Sequence, residues 1–98
     1  MHYVMFYDFC DDYLERRGHY RSEHLRHAWA SNARDELQLG GAFADPADGA
    51  LLIFKCDSSE TPERFAAADP YVINGLVKRR RIRAWMTVVG REATTPIK

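Results

Sequence analysis

The chain has 98 residues, of which 46% are hydrophobic and 29% charged. That is room for one compact domain, with enough apolar surface to offset the entropy of ordering it. Fourteen Lys and Arg balance fourteen Asp and Glu to a formal net charge of zero, which removes the basic excess expected of a dedicated nucleic-acid or anionic-membrane binder. The longest apolar runs, Ala50 to Phe54 and Ala84 to Val89 with Thr87 inside it, fall well short of the about 20 residues that a spanning helix needs.

In chain order, Tyr3 to Phe9 is dense in aromatic and β-branched residues and reads as a first strand. Asp12 followed by Glu15 is a weak capping-box pattern for a short turn of helix stopping at Gly18. A longer helix is predicted from Arg21 to Leu37, with Leu25, Ala28, Trp29, Ala33 and Leu37 on one apolar stripe. Leu39 to Ala44, carrying Gly40-Gly41, reads as a second strand. The Asp45-Pro46-Ala47-Asp48-Gly49 turn joins it in a hairpin to a third strand, Leu51 to Cys56. Thr61-Pro62 opens a second helix through Phe65 to Ala68, and Asp69-Pro70 ends it. A helical turn from Tyr71 to Leu76 follows. Ile82, Ala84, Met86 and Val88 alternate with Arg83, Trp85, Thr87 and Val89 as a long fourth strand.

Strand, helix, strand, strand, helix, strand is the split βαβ, or ferredoxin-like, α+β order: four antiparallel strands with both helices on one face. A single domain is expected over residues 1–92, followed by a loose tail at 93–98. Strands one and four carry apolar side chains on both faces, so the face without helices calls for a cover. Self-association into a homodimer through that open face is the simplest one. No secretory signal is read in Met1 to Asp8. Cys10 and Cys56 lack CxxC spacing and fall at opposite ends of the sheet, which fits reduced thiols in a cytoplasmic protein.

The topology brings the start of the first long helix, the end of the second and the hairpin turn to one end. Arg21, His24, Asp69, Tyr71, Asp8 and the start of the Lys78–Arg81 run are expected to cluster there. Arg21 and His24 share a flank of the apolar stripe, whereas His27 points nearly away from it and is expected in solvent. A carboxylate beside His24 would set its tautomer for general acid–base work; the plainer reading is a boundary histidine making one structural hydrogen bond. Asp69 likewise has a plain reading as a helix stop, although a carboxylate at a helix C-terminus sits on the unfavourable end of the macrodipole. The four histidines show no metal-ligand spacing, with His24 and His27 separated by about 60° on the wheel. No phosphate loop or nucleophile elbow appears.

Several of these stretches resemble the YciI-like, or YCII-related, family. They are Tyr3-Val4-Met5-Phe6-Tyr7, Arg21-Ser22-Glu23-His24-Leu25, Gly40-Gly41-Ala42, and Ala68-Asp69-Pro70-Tyr71-Val72 with Gly75. The resemblance runs from about residue 2 to 90. It implies the same ferredoxin-like fold dimerising through the sheet, and a His–Asp site that carries over to His24 and Asp69, flanked by Arg21 and Tyr71. Relatives include a dehydrochlorinase of a chlorinated hydroxyhydroquinone, and the fold is similar to muconolactone isomerases; both are proton-transfer reactions without metal or organic cofactor. The chain departs from the family pattern at Ser22, where proline is common, and in its dense basic run.

Lys78-Arg79-Arg80-Arg81 and Arg83 place five cations in six residues. Arg79 and Arg81 are candidates to hold an anionic substrate. The run also reads as a solvated strand entrance balancing the acidic residues near Asp8, or as a nucleic-acid contact. The reading carried forward is a small, cofactor-free dimeric enzyme with His24 and Asp69 as an acid–base pair and Arg21, Tyr71, Arg79 and Arg81 around the substrate. The alternatives are a non-catalytic small-molecule-binding module and a nucleic-acid binder using Lys78 to Arg83.

Overall fold

The first strand, His2–Phe9 (β1), alternates in burial, with Met5, Tyr7 and Phe9 inside. One face of it therefore belongs to the core. In the computed structural model, which describes all 98 residues, β1 is followed by a one-turn helix Tyr13–Arg16 (α1), a 3₁₀ turn Arg17–His19 and a longer helix Arg21–Ala33 (α2). Strands Leu37–Ala42 (β2) and Gly49–Lys55 (β3) form the hairpin; helices Glu60–Ala68 (α3) and Pro70–Ile73 (α4) precede the last strand, Val77–Trp85 (β4). The sheet order is β2-β3-β1-β4 with antiparallel pairing throughout. This is the ferredoxin-like arrangement read from the element order. No helix is long and apolar enough to cross a membrane.

The core is a sandwich between the inner sheet face and the helices. Met5, Tyr7, Leu52 and Phe54 from the sheet meet Phe65 and Ala66 of α3, with Tyr71 and Leu76 sealing one end. Tyr13 of α1 stacks on Phe9 at 3.7 Å between ring centroids. Burying a large apolar side chain contributes about 1.5–3 kcal/mol, so this aromatic-rich layer supplies the bulk of the driving force.

Four expectations are corrected by the structure. First, α2 ends at Ala33, not Leu37. Asp35 takes a left-handed φ of 62°, Ser31 Oγ accepts from the Leu37 N–H, and the Asn32 amide donates to the Leu37 carbonyl. These local bonds turn the chain at once into β2. Second, α2 is rotated about its axis relative to the predicted stripe. His24, His27, Ala28 and Ser31 face inward, while Leu25 is 40% and Trp29 69% exposed. The inward polar groups are tolerated because each finds a partner. His27, expected in solvent, stacks on Phe65 at 4.3 Å and its Nε2 donates to the Phe65 carbonyl at 2.9 Å.

Third, β4 begins at Val77, so the basic run lies inside the strand and residues 86–89 lie beyond it. Val77 pairs with Phe9 and Trp85 with His2, and this register with β1 outweighs the apolar alternation that suggested a later start. Fourth, the tail expected to be loose turns back: Thr94 donates its N–H to Thr87 Oγ1, and the Thr95 and Ile97 N–H groups donate to the Thr87 and Val88 carbonyls. Thr87 Oγ1 also bonds His2 Nδ1 at 2.8 Å. Smaller shifts affect the hairpin, which starts earlier in both strands, and Pro62, which sits two residues further into α3 than expected. There its missing N–H belongs to a first turn that has no intrahelical acceptor.

Candidate active site

The Asp69 side chain is fully buried and holds the end of the molecule together. Asp69 leaves α3 in an extended conformation and caps α4, its Oδ1 accepting from the Tyr71 N–H at 3.0 Å with Pro70 at the first helical position. The carboxylate that looked misplaced at the C-terminus of one helix thus sits at the N-terminus of the next. Its Oδ2 accepts from the Tyr7 hydroxyl at 2.8 Å, and Oδ1 lies 2.8 Å from His24 Nδ1. One carboxylate therefore links β1, α2 and α4.

An ionised carboxylate only accepts hydrogen bonds, so Nδ1 of His24 carries the proton in this contact and Nε2 is the basic nitrogen of the neutral ring. Nε2 has no partner within the protein, and the His24 side chain remains 16% exposed. The imidazole is held flat against the Tyr71 ring, 3.8 Å between centroids and 7° between planes. Stacking on one side and the carboxylate at one edge leave the opposite edge to face a groove.

That groove, about 500 Å³, runs between α2 and β2 over the floor made by β1 and β3. Its upper end holds His24, Tyr71 and Tyr13 with Arg17 and Arg21. Neither arginine makes an ion pair, whereas Arg16, Arg34, Lys55, Arg64, Arg79 and Arg80 do. Arg17 lies over the Tyr13 ring at 5.7 Å. Its lower end is mostly apolar, and the space exists because β2 presents Gly40 rather than a side chain beside Leu37 and Leu52. No group of three or more His, Cys, Asp or Glu side chains converges as a metal-ligand set.

Of the six residues singled out from the sequence, His24, Asp69, Arg21 and Tyr71 come together here. Arg79 and Arg81 do not. They are cross-strand partners of Asp8 and Phe6, residues that alternate with inward-facing Tyr7, so both arginines lie on the outer sheet face. Arg79 pairs with Asp8 at 2.8 Å and Arg81 covers the Phe6 ring at 4.8 Å. Period-two alternation along β4 decides this, once the strand is known to start at Val77. Tyr7, Tyr13 and Arg17 were not singled out, though Tyr7 was legible as a neighbour on the face of Met5.

Burial, then the Asp69 charge, holds the Tyr7 phenol protonated far above the ordinary tyrosine range. Burial and the adjacent Tyr13 push Tyr71 up to about 12, against the pull of Arg21 and Arg17. Both phenols ionise more readily unfolded than folded. Their contribution to stability is therefore complete below the unfolded value of about 10 and is lost as pH rises through the folded values. Urea midpoints are expected to fall as pH rises above about 10, with a shallower fall in Tyr7→Phe than in the parent chain.

The four-stranded antiparallel sheet and its helices make this a small ferredoxin-like α+β protein. The chain belongs to one family of that fold, the YCII-related domain, whose model matches residues 1–86. Among solved structures, the chain is similar to a 5-chloro-2-hydroxyhydroquinone dehydrochlorinase from Burkholderia phenoliruptrix AC1100, in complex with 2,5-dihydroxybenzoquinone. That match has a TM-score of 0.76 and 21% identity, covering 89% of this chain and 95% of that one. It is also similar to a NIPSNAP family protein from Agrobacterium tumefaciens, with a TM-score of 0.56 and 10% identity over 95% of each chain. These likenesses establish the shared fold. No curated protein matches the sequence.

Proposed function

We propose that this chain is a cofactor-free acid–base enzyme of the lyase or isomerase kind, acting on a small anionic or ring-derived molecule with His24 as the proton carrier. The observation that carries this reading is the 2.8 Å contact between His24 Nδ1 and the buried Asp69 carboxylate. It sets the tautomer and turns an unpartnered Nε2 toward a groove lined by two free guanidinium groups. In this reading, Nε2 takes a proton from the substrate while Asp69 stabilises the imidazolium that forms. Arg21 and Arg17 hold the negative charge that develops on a substrate oxygen. The proton is then returned to another substrate atom, or a leaving anion departs with the substrate's electron pair and the imidazolium gives its proton to water. The dehydrochlorinase of the same fold binds a dihydroxybenzoquinone, which supports ring-derived hydroxylated compounds as first candidates.

The test is a panel of chlorinated hydroxyhydroquinones and unsaturated lactones in deuterium oxide, followed by NMR for deuterium incorporation and by chloride release. Turnover by the parent chain that is lost in His24→Ala supports the reading. Equal turnover in both proteins overturns it, and saturable binding with neither exchange nor release would assign the groove to ligand carriage.

The same proposal includes a homodimer through the outer sheet face. Val4, Phe6, Leu51 and Ile53 are register neighbours there, half-buried, with no helix above them. An apolar sheet face of this kind is stabilised by a second layer. Light scattering is expected to give twice the chain mass of 11.3 kDa. Phe6→Glu, which places a charge at the centre of the patch, is expected to give the single-chain mass with unchanged circular dichroism. A parent protein that scatters as a single chain at all concentrations would remove the dimer.

A further inference from the structure

The groove is much larger than the chemistry at its upper end requires. An apolar cavity of about 150 Å³ already accommodates a benzene ring, whereas this one is about 500 Å³. The surplus has a direction. Arg21 and Asn32 both line the groove, and the helix between them advances about 16 Å at 1.5 Å per residue. All the charge sits at the Arg21 end, with Arg17 and the Tyr13 and Tyr71 rings. From His24 onward α2 offers Leu25, Ala28 and Trp29, facing Leu37 and Leu52 across the groove. At the far end the polar side chains are the uncharged amides of Asn32 and Gln38, and one N–H of the Asn32 amide is taken by the Leu37 carbonyl.

The lip of this apolar half is exposed in a way that packing of the chain alone does not account for. Trp29 and Leu39 are each 69% exposed and Leu25 is 40% exposed, although all three border the groove. The floor is open because of Gly40. A Cβ built there would lie 3.7 Å from Leu52 Cγ and 3.8 Å from Leu37 Cδ1, ordinary contact distances, and its backbone is not in the left-handed region. Neither backbone conformation nor crowding at the Cβ requires a glycine at this position. What the glycine provides is volume.

We infer that the groove takes an amphipathic anion: a planar, negatively charged head held beside His24 by Arg17 and Arg21, and an apolar tail lying along Ala28 and Trp29 over Gly40. The inference rests on the reading of this groove as the place where His24 works, and it extends that reading from a single ring to a head with a tail. Charge at one end and its absence at the other give the ligand its orientation, and Gly40 sets how much tail is admitted. Trp29 closes over the tail and loses its exposure when the groove fills.

The experiment uses the 4-n-alkylbenzoates from benzoate to 4-hexylbenzoate, below their aggregation concentrations, as unreactive probes. Binding is read by Trp29 fluorescence in a Trp85→Phe background, Trp85 being remote on the outer edge strand, and is repeated by calorimetry on the unaltered chain. Affinity is expected to rise about threefold to fourfold per added methylene. In Gly40→Leu the slope with chain length is expected to vanish while benzoate itself binds as before. In Arg21→Gln all members are expected to weaken by a similar factor with the slope kept. A flat series in the parent chain, or a slope that Gly40→Leu leaves intact, overturns the inference. So does a fall in oligomeric mass in Trp29→Ser, which would assign the lip to a second copy of the chain. Running the series in His24→Ala separates the two claims: a retained slope there, together with no turnover by the parent chain, would sink the catalytic reading and leave the amphipathic ligand standing.

Discussion

Asp69→Ala is expected to destabilise the fold by about 3–5 kcal/mol, the usual consequence of removing one partner from a buried, charge-assisted cluster. The side chain is fully buried and has three partners, the Tyr7 hydroxyl, the His24 Nδ1–H and the Tyr71 N–H. Alanine leaves all three without an acceptor in a place water reaches poorly. For a domain of this size the loss corresponds to a fall in Tm of roughly 15–30 °C. Calorimetry on Asp69→Ala and Tyr7→Phe tests the origin of the effect. Tyr7→Phe removes only one donor and leaves the carboxylate its other two, so its cost is expected to be about 1 kcal/mol. A Tm for Asp69→Ala within a few degrees of the parent would show that the carboxylate is not the anchor described.

The second large effect is on turnover. His24→Ala is expected to lower kcat by about 10²–10⁴-fold on any compound the parent chain turns over, the usual contribution of a positioned acid–base group. The fold should survive, because His24 contributes one of the three donors to Asp69 and is not fully enclosed. Asp69→Asn distinguishes a positioning role from a merely structural one. The amide oxygen can keep accepting from the Tyr71 N–H and the His24 Nδ1–H while its NH₂ donates to the Tyr7 hydroxyl oxygen, so the tautomer is kept and only the negative charge that stabilises the imidazolium is lost. Nitrogen NMR is expected to show Nδ1 protonated in the neutral ring of both the parent chain and Asp69→Asn. The variant should lose activity while keeping most of its stability. Unchanged activity in Asp69→Asn would mean that the carboxylate charge does not act on the imidazole.

The sequence was legible wherever local chemistry and chain direction suffice. The order of elements follows from aromatic and β-branched strands, the 45–49 turn and the Asp69-Pro70 helix stop, and that order specifies a ferredoxin-like sheet. Direction along the elements then brings His24, Asp69, Arg21 and Tyr71 to one end without knowledge of any contact. The reading of Asp69 as a helix stop and as a partner for His24 missed its further role as the N-cap of α4, which depends on the chain resuming a helix immediately at Pro70.

Tertiary structure decided the rest, for two reasons. The first is rotation of an element about its own axis. Helical periodicity places Leu25, Trp29 and His24 around α2 but does not say which flank meets the sheet. Partners for His24, His27 and Ser31, present only in the fold, turn the polar flank inward and leave the apolar one bordering a groove. The second is register. A strand's faces exchange with a shift of one residue, so whether Arg79 and Arg81 reach the site depends on where β4 pairs with β1. Pairing Val77 with Phe9 sends them to the outer face. The sequence by itself determined which residues share an end of the molecule; only packing across the sheet determined which of them share a face, because side-chain facing is set by long-range contacts that no local pattern contains.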